Sequence, residues 1–164
     1  MKTEIISATL NLADSFRRAV DVVARERRYL SLTEAFPLEQ TQEFVSQILK
    51  NGWSQFFAVC DGEVVGWCDI IRNERPGRTH SGQLGIGIIP GHRGCGLGRK
   101  LMQAAVNDAF SKGIERIELE VFESNRRAIR LYESLGFSTE GRKIKARFFD
   151  DNYEDILLMA LLSD

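Results

Sequence analysis

The chain has 164 residues, of which 43% are hydrophobic and 27% are charged, and its formal net charge at pH 7 is −1. This length and composition are typical of one globular domain, so we expect residues 1–164 to form a single domain around one core. The near-zero charge argues against a nucleic-acid or anionic-membrane partner, because such partners are recognised by basic surfaces. The sequence also shows no signal-type segment after Met1 and no apolar run of membrane-spanning length.

The three cysteines, Cys60, Cys68 and Cys95, are odd in number and lack the C-x-x-C spacing of metal and redox sites. We therefore expect free thiols in a reducing cytoplasm, with no disulfide framework and no bound metal ion. Cys95 lies inside a glycine-rich loop, where it is interpreted as a small residue that the loop tolerates.

Hydrophobic periodicity predicts two helices and three strands in the first 72 residues. Leu12, Phe16, Ala19, Val20 and Val23 recur at helical spacing and form one apolar face. Asp61-Gly62 lies between two apolar runs, which is the strongest short signal for a β-hairpin. In chain order, the predicted elements are a strand over 4–10, a helix from Asn11 or Asp14 to about Arg28, a helix over 39–50, and strands over 55–60 and 63–72.

A glycine-rich stretch, 83–100, occupies the middle of the chain. It begins with an apolar run, 84–89, whose β-branched residues suit a buried strand. Pro90 and Gly91 end that strand, and good helix formers follow from Arg99 to Lys112. A strand, a glycine-rich loop and a helix in this order predict an anion-binding loop, because glycines let a phosphate approach the backbone N–H groups of a helix N-terminus.

The last third of the chain predicts a strand, a helix and a closing hairpin. Residues 116–122 alternate between charged and apolar side chains, which is the period of a strand with one charged face. A helix over 125–135 ends at Gly136, and two strands over 137–149 and 153–162 flank a turn. The order β-α-α-β-β-β-α-β-α-β-β indicates a mixed α/β sheet with helices packed on it.

Two common phosphate-binding patterns do not fit the glycine-rich loop. In the Walker pattern a lysine follows the second glycine, but Leu97 follows Gly96 here. In the dinucleotide pattern G-x-G-x-x-G, the position that needs the third glycine holds Arg99.

The pattern that does fit is R-x-x-G-x-G, at Arg93, Gly96 and Gly98. It resembles the pyrophosphate loop of the GNAT superfamily, the acetyl-CoA-dependent N-acetyltransferases. On these residues alone, a glycine-rich turn before an ordinary helix remains the alternative.

A second motif is far more specific. Residues 125–137 read N-x-x-A-x-x-L-Y-x-x-L-G-F, which is similar to the second conserved block of the same superfamily. With both motifs at the right separation, the chain is identified as a member of the GNAT superfamily, resembling its amino-acid and small-amine branch. The resemblance implies a mixed, mostly antiparallel, twisted α/β sheet of about seven strands with four helices, in which two splayed central strands form the acetyl-CoA cleft.

The resemblance also implies which residues bind acetyl-CoA, the co-substrate. The pantetheine arm is expected to bond the backbone of the 84–89 strand like an added strand. The pyrophosphate is expected on the N–H groups of 93–99, with Asn125 near the arm and Arg127 near the phosphates. The predicted cofactor-binding residues are Ile86, Ile88, Ile89, Arg93, Gly94, Cys95, Gly96, Leu97, Gly98, Arg99, Asn125, Arg127 and Tyr132.

Acetyl transfer to an amine needs a base, an oxyanion donor and an acid. Tyr132 matches the family's tyrosine beside the thioester sulfur and is assigned as the general acid. The backbone N–H of Ile88 is the expected oxyanion donor. Glu120 occupies a strand position where N-terminal acetyltransferases of the superfamily carry a base or proton relay, and its alternative is a solvated carboxylate. The central strand itself lacks the glutamate that many members carry.

The acceptor is expected between the segment 29–38 and the closing hairpin. Glu34 could attract a cationic amine, Phe36 could shape an apolar pocket, and His80 could relay a proton. The preferred acceptor is a small amine or free amino acid. The alternatives are N-terminal or lysine acetylation of a protein, which predicts an open groove, and a non-catalytic acetyl-CoA sensor. A homodimer is common among relatives.

Overall fold

One seven-stranded sheet runs through the molecule in the order β1-β2-β3-β4-β5-β7-β6. The computed structural model describes residues 2–164. The strands are β1 (Thr3–Ser7), β2 (Ser54–Cys60), β3 (Glu63–Arg72), β4 (Ser81–Ile88), β5 (Arg116–Phe122), β6 (Ser138–Phe149) and β7 (Asn152–Leu162). The helices are α1 (Ala13–Arg25), α2 (Leu38–Asn51), α3 (Leu97–Ser111) and α4 (Arg126–Ser134), with a 3-10 turn at Leu10–Leu12. The predicted mixed sheet with four helices is confirmed.

The sheet consists of two antiparallel halves joined by a short parallel ladder. β1 to β4 pair successively as antiparallel neighbours, and β5, β7 and β6 do the same. β4 and β5 pair in parallel at only three positions, Ser81–Arg116, Gly82–Ile117 and Gln83–Glu118. Beyond Gln83 the two strands separate, while β5 remains paired with β7 as far as Phe122. The predicted splaying of the central strands is therefore present.

Two apolar layers cover the two faces of the sheet. On one face α1 and α2 pack through Phe16 and Val45 on Phe57 and Trp67 of the sheet. Phe16 stacks on Phe57 with ring centroids 5.0 Å apart and meets Trp67 edge-on at 5.7 Å. On the other face α3 and α4 cover a larger core, whose fully buried members include Leu101, Met102, Cys68, Ile117 and Met159.

Most element boundaries follow the sequence, and the largest differences, about three residues each, are at the end of β1, the end of α1 and the start of β4. β1 ends at Ser7, three residues before the predicted end, because Leu10 enters the 3-10 turn that precedes α1. The Asp61-Gly62 hairpin is confirmed by the pairing of Cys60 with Glu63. No helix within residues 2–164 is long and apolar enough to cross a membrane.

Candidate functional site

The separation of β4 from β5 leaves a backbone cleft along one edge of β4. The N–H of Ile89 donates to the carbonyl of Val65 in β3 at 3.0 Å. Because amide direction alternates along a strand, the N–H groups of Ile86 and Ile88 point the other way, towards β5. β5 has no residue paired with β4 beyond Glu118. We call this gap, between 84–88 of β4 and 119–122 of β5, the β4–β5 cleft.

The glycine-rich loop leads from this cleft to the N-terminus of α3. Gly96 is the residue before the helix, with φ +85° and no heavy atom within 4 Å of where a Cβ would stand. The first helical bond recorded at this end runs from the N–H of Lys100 to the carbonyl of Gly96, at 3.2 Å. No side chain caps this end and its first turn carries no acidic residue. The N–H groups of Leu97, Gly98 and Arg99 are therefore available to an anion.

The guanidinium of Arg93 already has partners within the chain. Its Nη1 and Nη2 donate to the carboxylate of Glu26 at 2.9 and 2.5 Å, and its Nε donates to the carbonyl of Ile88 at 2.8 Å. The ring of Tyr29 lies 4.8 Å below the guanidinium. In this arrangement the side chain fixes the loop, and the backbone N–H is the part of Arg93 left for a ligand.

Three other predicted cofactor-binding side chains have hydrogen-bond partners within the loop, within α4, or between α3 and α4. The Cys95 thiol donates to the carbonyl of His92 at 3.0 Å, and Nη2 of Arg99 donates to Ser134 Oγ at 2.8 Å. Asn125 is the residue before α4, and its Oδ1 accepts from the N–H of Ala128 at 3.3 Å.

The Arg127 guanidinium lies against the loop at Gly94. A Cβ on Gly94 would stand 2.5 Å from Nη2 of Arg127. The structure therefore places a cation from α4 beside the predicted pyrophosphate position.

Tyr132 of α4 lies in the core on the α3 side of the sheet, where only 6% of its surface is exposed. Its ring centroid is 6.0 Å from that of Phe137. Burial, with the nearby Cys68 as a smaller contribution, raises the pKa of the Tyr132 phenol well above its ordinary value. The phenol thus keeps its proton across the neutral range and is available there as a proton donor.

A cavity of about 450 Å³ lies on the opposite face of β4, under α1, α2 and the segment that joins them. Phe36, predicted to shape the acceptor pocket, is in its lining. Most of the lining is apolar or aromatic. The lining residues are Phe16, Val20, Leu30, Ser31, Leu32, Ala35, Phe36, Gln40, Thr41, Phe44, Trp67, Asp69, Gly85 and Ile86.

Asp69 of β3 is the one charged residue in that lining, and the sequence analysis did not select it. Only 8% of its surface is exposed, and its recorded side-chain partner is Gln55, whose Nε2 donates to Oδ2 at 3.4 Å. Burial raises the pKa of the Asp69 carboxyl to about 7, and the bond from Gln55 opposes that shift. The available signal was an aspartate inside the apolar run 64–71, where a charge is costly to bury.

The structure places Glu120, Glu34 and His80 outside this cavity. Glu120 is exposed on β5, and its carboxylate accepts from Lys143 Nζ at 2.6 Å. Glu34 is exposed and lies 3.6 Å from Arg25. His80 precedes the paired end of β4, roughly 20 Å along the strand from Ile86. Within residues 2–164, no group of three or more His, Cys, Asp or Glu side chains is placed to hold a metal ion.

Comparison with known proteins identifies related sequences. The model of the acetyltransferase (GNAT) family matches residues 20–137, which is more than half of the chain. The chain is 34% identical over 113 residues to an L-amino acid N-acetyltransferase of Escherichia coli K12, covering 68% of this chain and 69% of that protein. It is 28% identical over 127 residues to a spermidine N(1)-acetyltransferase of Vibrio cholerae, covering 76% of this chain and 72% of that protein.

The fold is also found among solved structures. A phosphinothricin acetyltransferase from Sinorhizobium meliloti, solved in complex with acetyl-CoA, superimposes with a TM-score of 0.91. The match covers 99% of this chain and 89% of that one, at 18% sequence identity. At this identity the likeness concerns the fold.

Proposed function

Because this chain belongs to the acetyltransferase (GNAT) family, we propose that it transfers an acetyl group from acetyl-CoA to the primary amine of a small molecule. The observation that carries the proposal is the meeting of two sites at Ile86. Its N–H points into the β4–β5 cleft, and the residue also lines the apolar cavity. A thioester lying along the cleft and an amine held in the cavity can therefore approach each other at β4.

The cofactor is proposed to bind by completing the sheet. The pantetheine arm bonds the free backbone groups of Ile86 as an added strand does. At Ile88 only the N–H is left for the cofactor, because the carbonyl already accepts from Arg93. The pyrophosphate binds the open N–H groups at the start of α3, where Gly96 leaves room for it. Arg127 adds a positive charge beside Gly94.

Two groups of this chain are proposed to stabilise the reacting thioester. The N–H of Ile88 points into the cleft and donates to the carbonyl oxygen as negative charge develops on it. The Tyr132 phenol donates its proton to the departing sulfur. Exclusion of water supports this transfer, because desolvation raises the proton affinity of a buried thiolate as it raises the pKa of the phenol.

Direct attack by the amine is favoured over an acetyl-cysteine intermediate. Cys68 is the thiol near Tyr132, but it is fully buried. Burial and the neighbouring Asp69 charge raise the pKa of the Cys68 thiol well above its ordinary value. A thiol that does not ionise is a poor nucleophile. Initial-rate plots that intersect, as expected for a ternary complex, would check this.

Acetylation of a protein N-terminus or lysine is the second candidate. It calls for an open groove along which a peptide can lie. The 30–36 segment of the connection between α1 and α2 forms one wall of the cavity beside Gly85, which gives it the shape of a pocket and favours a small molecule. A non-catalytic acetyl-CoA sensor is the third candidate, and the Tyr132 environment argues against it.

The test is release of free thiol from acetyl-CoA in the presence of separate amine classes: amino acids, monoamines, polyamines, aminoglycosides and N-terminal peptides. Turnover with a small amine supports the proposal. Turnover with peptides alone transfers the assignment to protein acetylation. No turnover, together with tight acetyl-CoA binding by calorimetry, assigns the chain to the sensor class.

A further inference from the structure

Asp69 lies where the cavity meets β4. It pairs with Gly85 across the β3–β4 ladder, so its carboxylate lies over the strand that borders the β4–β5 cleft. A Cβ on Gly85 would stand 3.1 Å from Asp69 Oδ1, so the glycine provides the space that the carboxylate occupies. The side chain reaches the cavity from a strand, which is a more rigid support than a loop.

The polar environment of Asp69 is sparse and incompletely paired. Gln55 is 4% exposed, and its Oε1 is the one fully buried side-chain oxygen or nitrogen without a hydrogen-bond partner in residues 2–164. Because buried polar atoms are normally paired, this acceptor beside Asp69 indicates a missing donor. A bound ammonium group would be such a donor. A protonated Asp69 would be another, once the Gln55 amide rotates so that Oε1 faces the carboxyl group.

No other charged group faces Asp69 within the cavity. α1 contributes Phe16 and Val20, α2 contributes neutral residues, and the neighbouring strands contribute Trp67 and Gly85. Arg17 of α1 is outside the lining, and its Nε donates to the carbonyl of Phe36 at 2.9 Å. The side chain next to Asp69, Cys68, belongs to the core on the opposite face of the sheet.

We propose that Asp69 accepts the proton of the incoming ammonium group and that the acceptor is a primary monoamine on an apolar skeleton. This inference rests on the proposed function. The ammonium ion transfers one proton to the Asp69 carboxylate, and the neutral nitrogen forms the C–N bond at the thioester carbonyl. The C–S bond then breaks, and the sulfur takes the proton of Tyr132. The nitrogen loses its second proton, which restores the Tyr132 phenol, and Asp69 releases its own to solvent.

The lining also disfavours amines that carry a second charged group. The carboxylate of a free amino acid and the second ammonium of a polyamine both need a partner when they leave water. Asp69 is the single charge present, and it is used by the reacting nitrogen. An arylalkylamine instead places its ring among Phe16, Phe44 and Trp67.

The experiment compares phenethylamine, phenylalanine and spermidine as acceptors for the wild type, Asp69→Asn and Asp61→Asn. The Asp61 change is the matched control, because Asp61 is exposed in the β2–β3 turn and Asn tolerates its positive φ. We expect kcat/KM for phenethylamine to exceed that for the other two by at least about tenfold. We expect the Asp69→Asn change to lower kcat/KM about 100-fold at pH 8 and to remove the rise of the wild-type profile near pH 7.

Gly85→Ala is a second variant that keeps the carboxylate but crowds it. We expect a lower kcat with phenethylamine and unchanged acetyl-CoA binding, measured by calorimetry. Fluorescence and circular dichroism confirm that each variant is folded. Normal turnover in Gly85→Ala together with an unchanged pH profile in Asp69→Asn overturns the role of Asp69.

The two proposals fail in distinguishable ways. A preference for phenylalanine or spermidine overturns the monoamine class while the acetyltransferase activity stands. If the wild type transfers acetyl groups to no amine, the proposed function fails. Calorimetry with phenethylamine in the presence of coenzyme A then tests whether the cavity binds a monoamine. Binding that Asp69→Asn weakens at least tenfold supports the pocket and its single charge, and absence of binding overturns them.

Discussion

Both terminal guanidinium nitrogens of Arg93, in the glycine-rich loop, donate to the carboxylate of Glu26 at the end of α1. Each side chain is 23% exposed, so the pair is largely shielded from water. Because Arg93 also bonds the carbonyl of Ile88, the loop is tied at once to α1 and to the end of β4. The helix that covers the proposed acceptor cavity thus supports the proposed phosphate site.

Glu26→Gln should weaken that support. We expect the Michaelis constant for acetyl-CoA to rise several-fold, because the loop loses its fixed position, and the free energy of unfolding to fall by about 1–3 kcal/mol. Steady-state kinetics and urea unfolding measure the two effects. Glu4→Gln is the control, since Glu4 is 3.8 Å from Lys2 and both side chains are exposed. Equal results for the two variants would contradict a supporting role for Glu26.

Gly96 and Gly77 form a matched pair for testing the phosphate site. Their φ values are +85° and +82°, and neither has an atom within 4 Å of a built Cβ. Replacing either by leucine should cost about 1–2 kcal/mol of stability, because a side chain is strained at positive φ. Only Gly96→Leu should raise the dissociation constant for acetyl-CoA, by at least about tenfold in calorimetry, through exclusion of the pyrophosphate. Unchanged binding would refute the loop assignment.

Tyr132→Phe should separate chemistry from binding. The ring still fills its place beside Phe137, so acetyl-CoA affinity and folding should be close to those of the wild type. Loss of the donated proton should lower kcat by about 100-fold or more. Tyr153→Phe, at a 60% exposed ring, is the control. A Tyr132→Phe variant that turns over at the wild-type rate would show that another group protonates the sulfur.

Asp69 should make stability depend on pH. Its carboxyl pKa rises from 3.8 to about 7 on folding, so the native state holds the extra proton between these values and the free energy of unfolding falls as pH rises through this range. The total loss of unfolding free energy, reached once the pH exceeds 7, is roughly 4 kcal/mol. Asp69→Asn should therefore be more stable than the wild type at pH 8, with the gain shrinking towards pH 4, in urea unfolding at both values. A less stable variant at pH 8 would indicate that the carboxylate is structural.

The sequence was informative where local backbone geometry defines the site. The glycines at 94, 96 and 98 and the motif around Tyr132 predict a loop and a helix whose conformations depend mainly on neighbouring residues. The period-two pattern of β5 was confirmed, with Ile117, Leu119 and Val121 buried. These features were enough to predict the fold.

The acceptor side depended on contacts that a linear pattern does not contain. Alternation on β5 puts Glu120 on a charged face but does not say whether that face is covered, and here it meets Lys143 and solvent. Glu120 of β5 and His80 before β4 were the predicted candidates, whereas the buried carboxylate comes from β3 and reaches the cavity across Gly85. The pairing of β3 with β4 brings Asp69 next to Gly85, although the two residues are far apart in the sequence.

The three-residue ladder between β4 and β5 also has a mechanical consequence. In the described part of the chain, only this ladder joins the two antiparallel halves of the sheet, so in the free protein we expect local opening between β4 and β5. A cofactor arm bonded along β4 would link the two halves, and its binding would raise the free energy of unfolding. Within β4, amide hydrogen exchange should then be fastest at Ile86 and Ile88 without ligand, and acetyl-CoA should slow exchange there and raise the melting temperature.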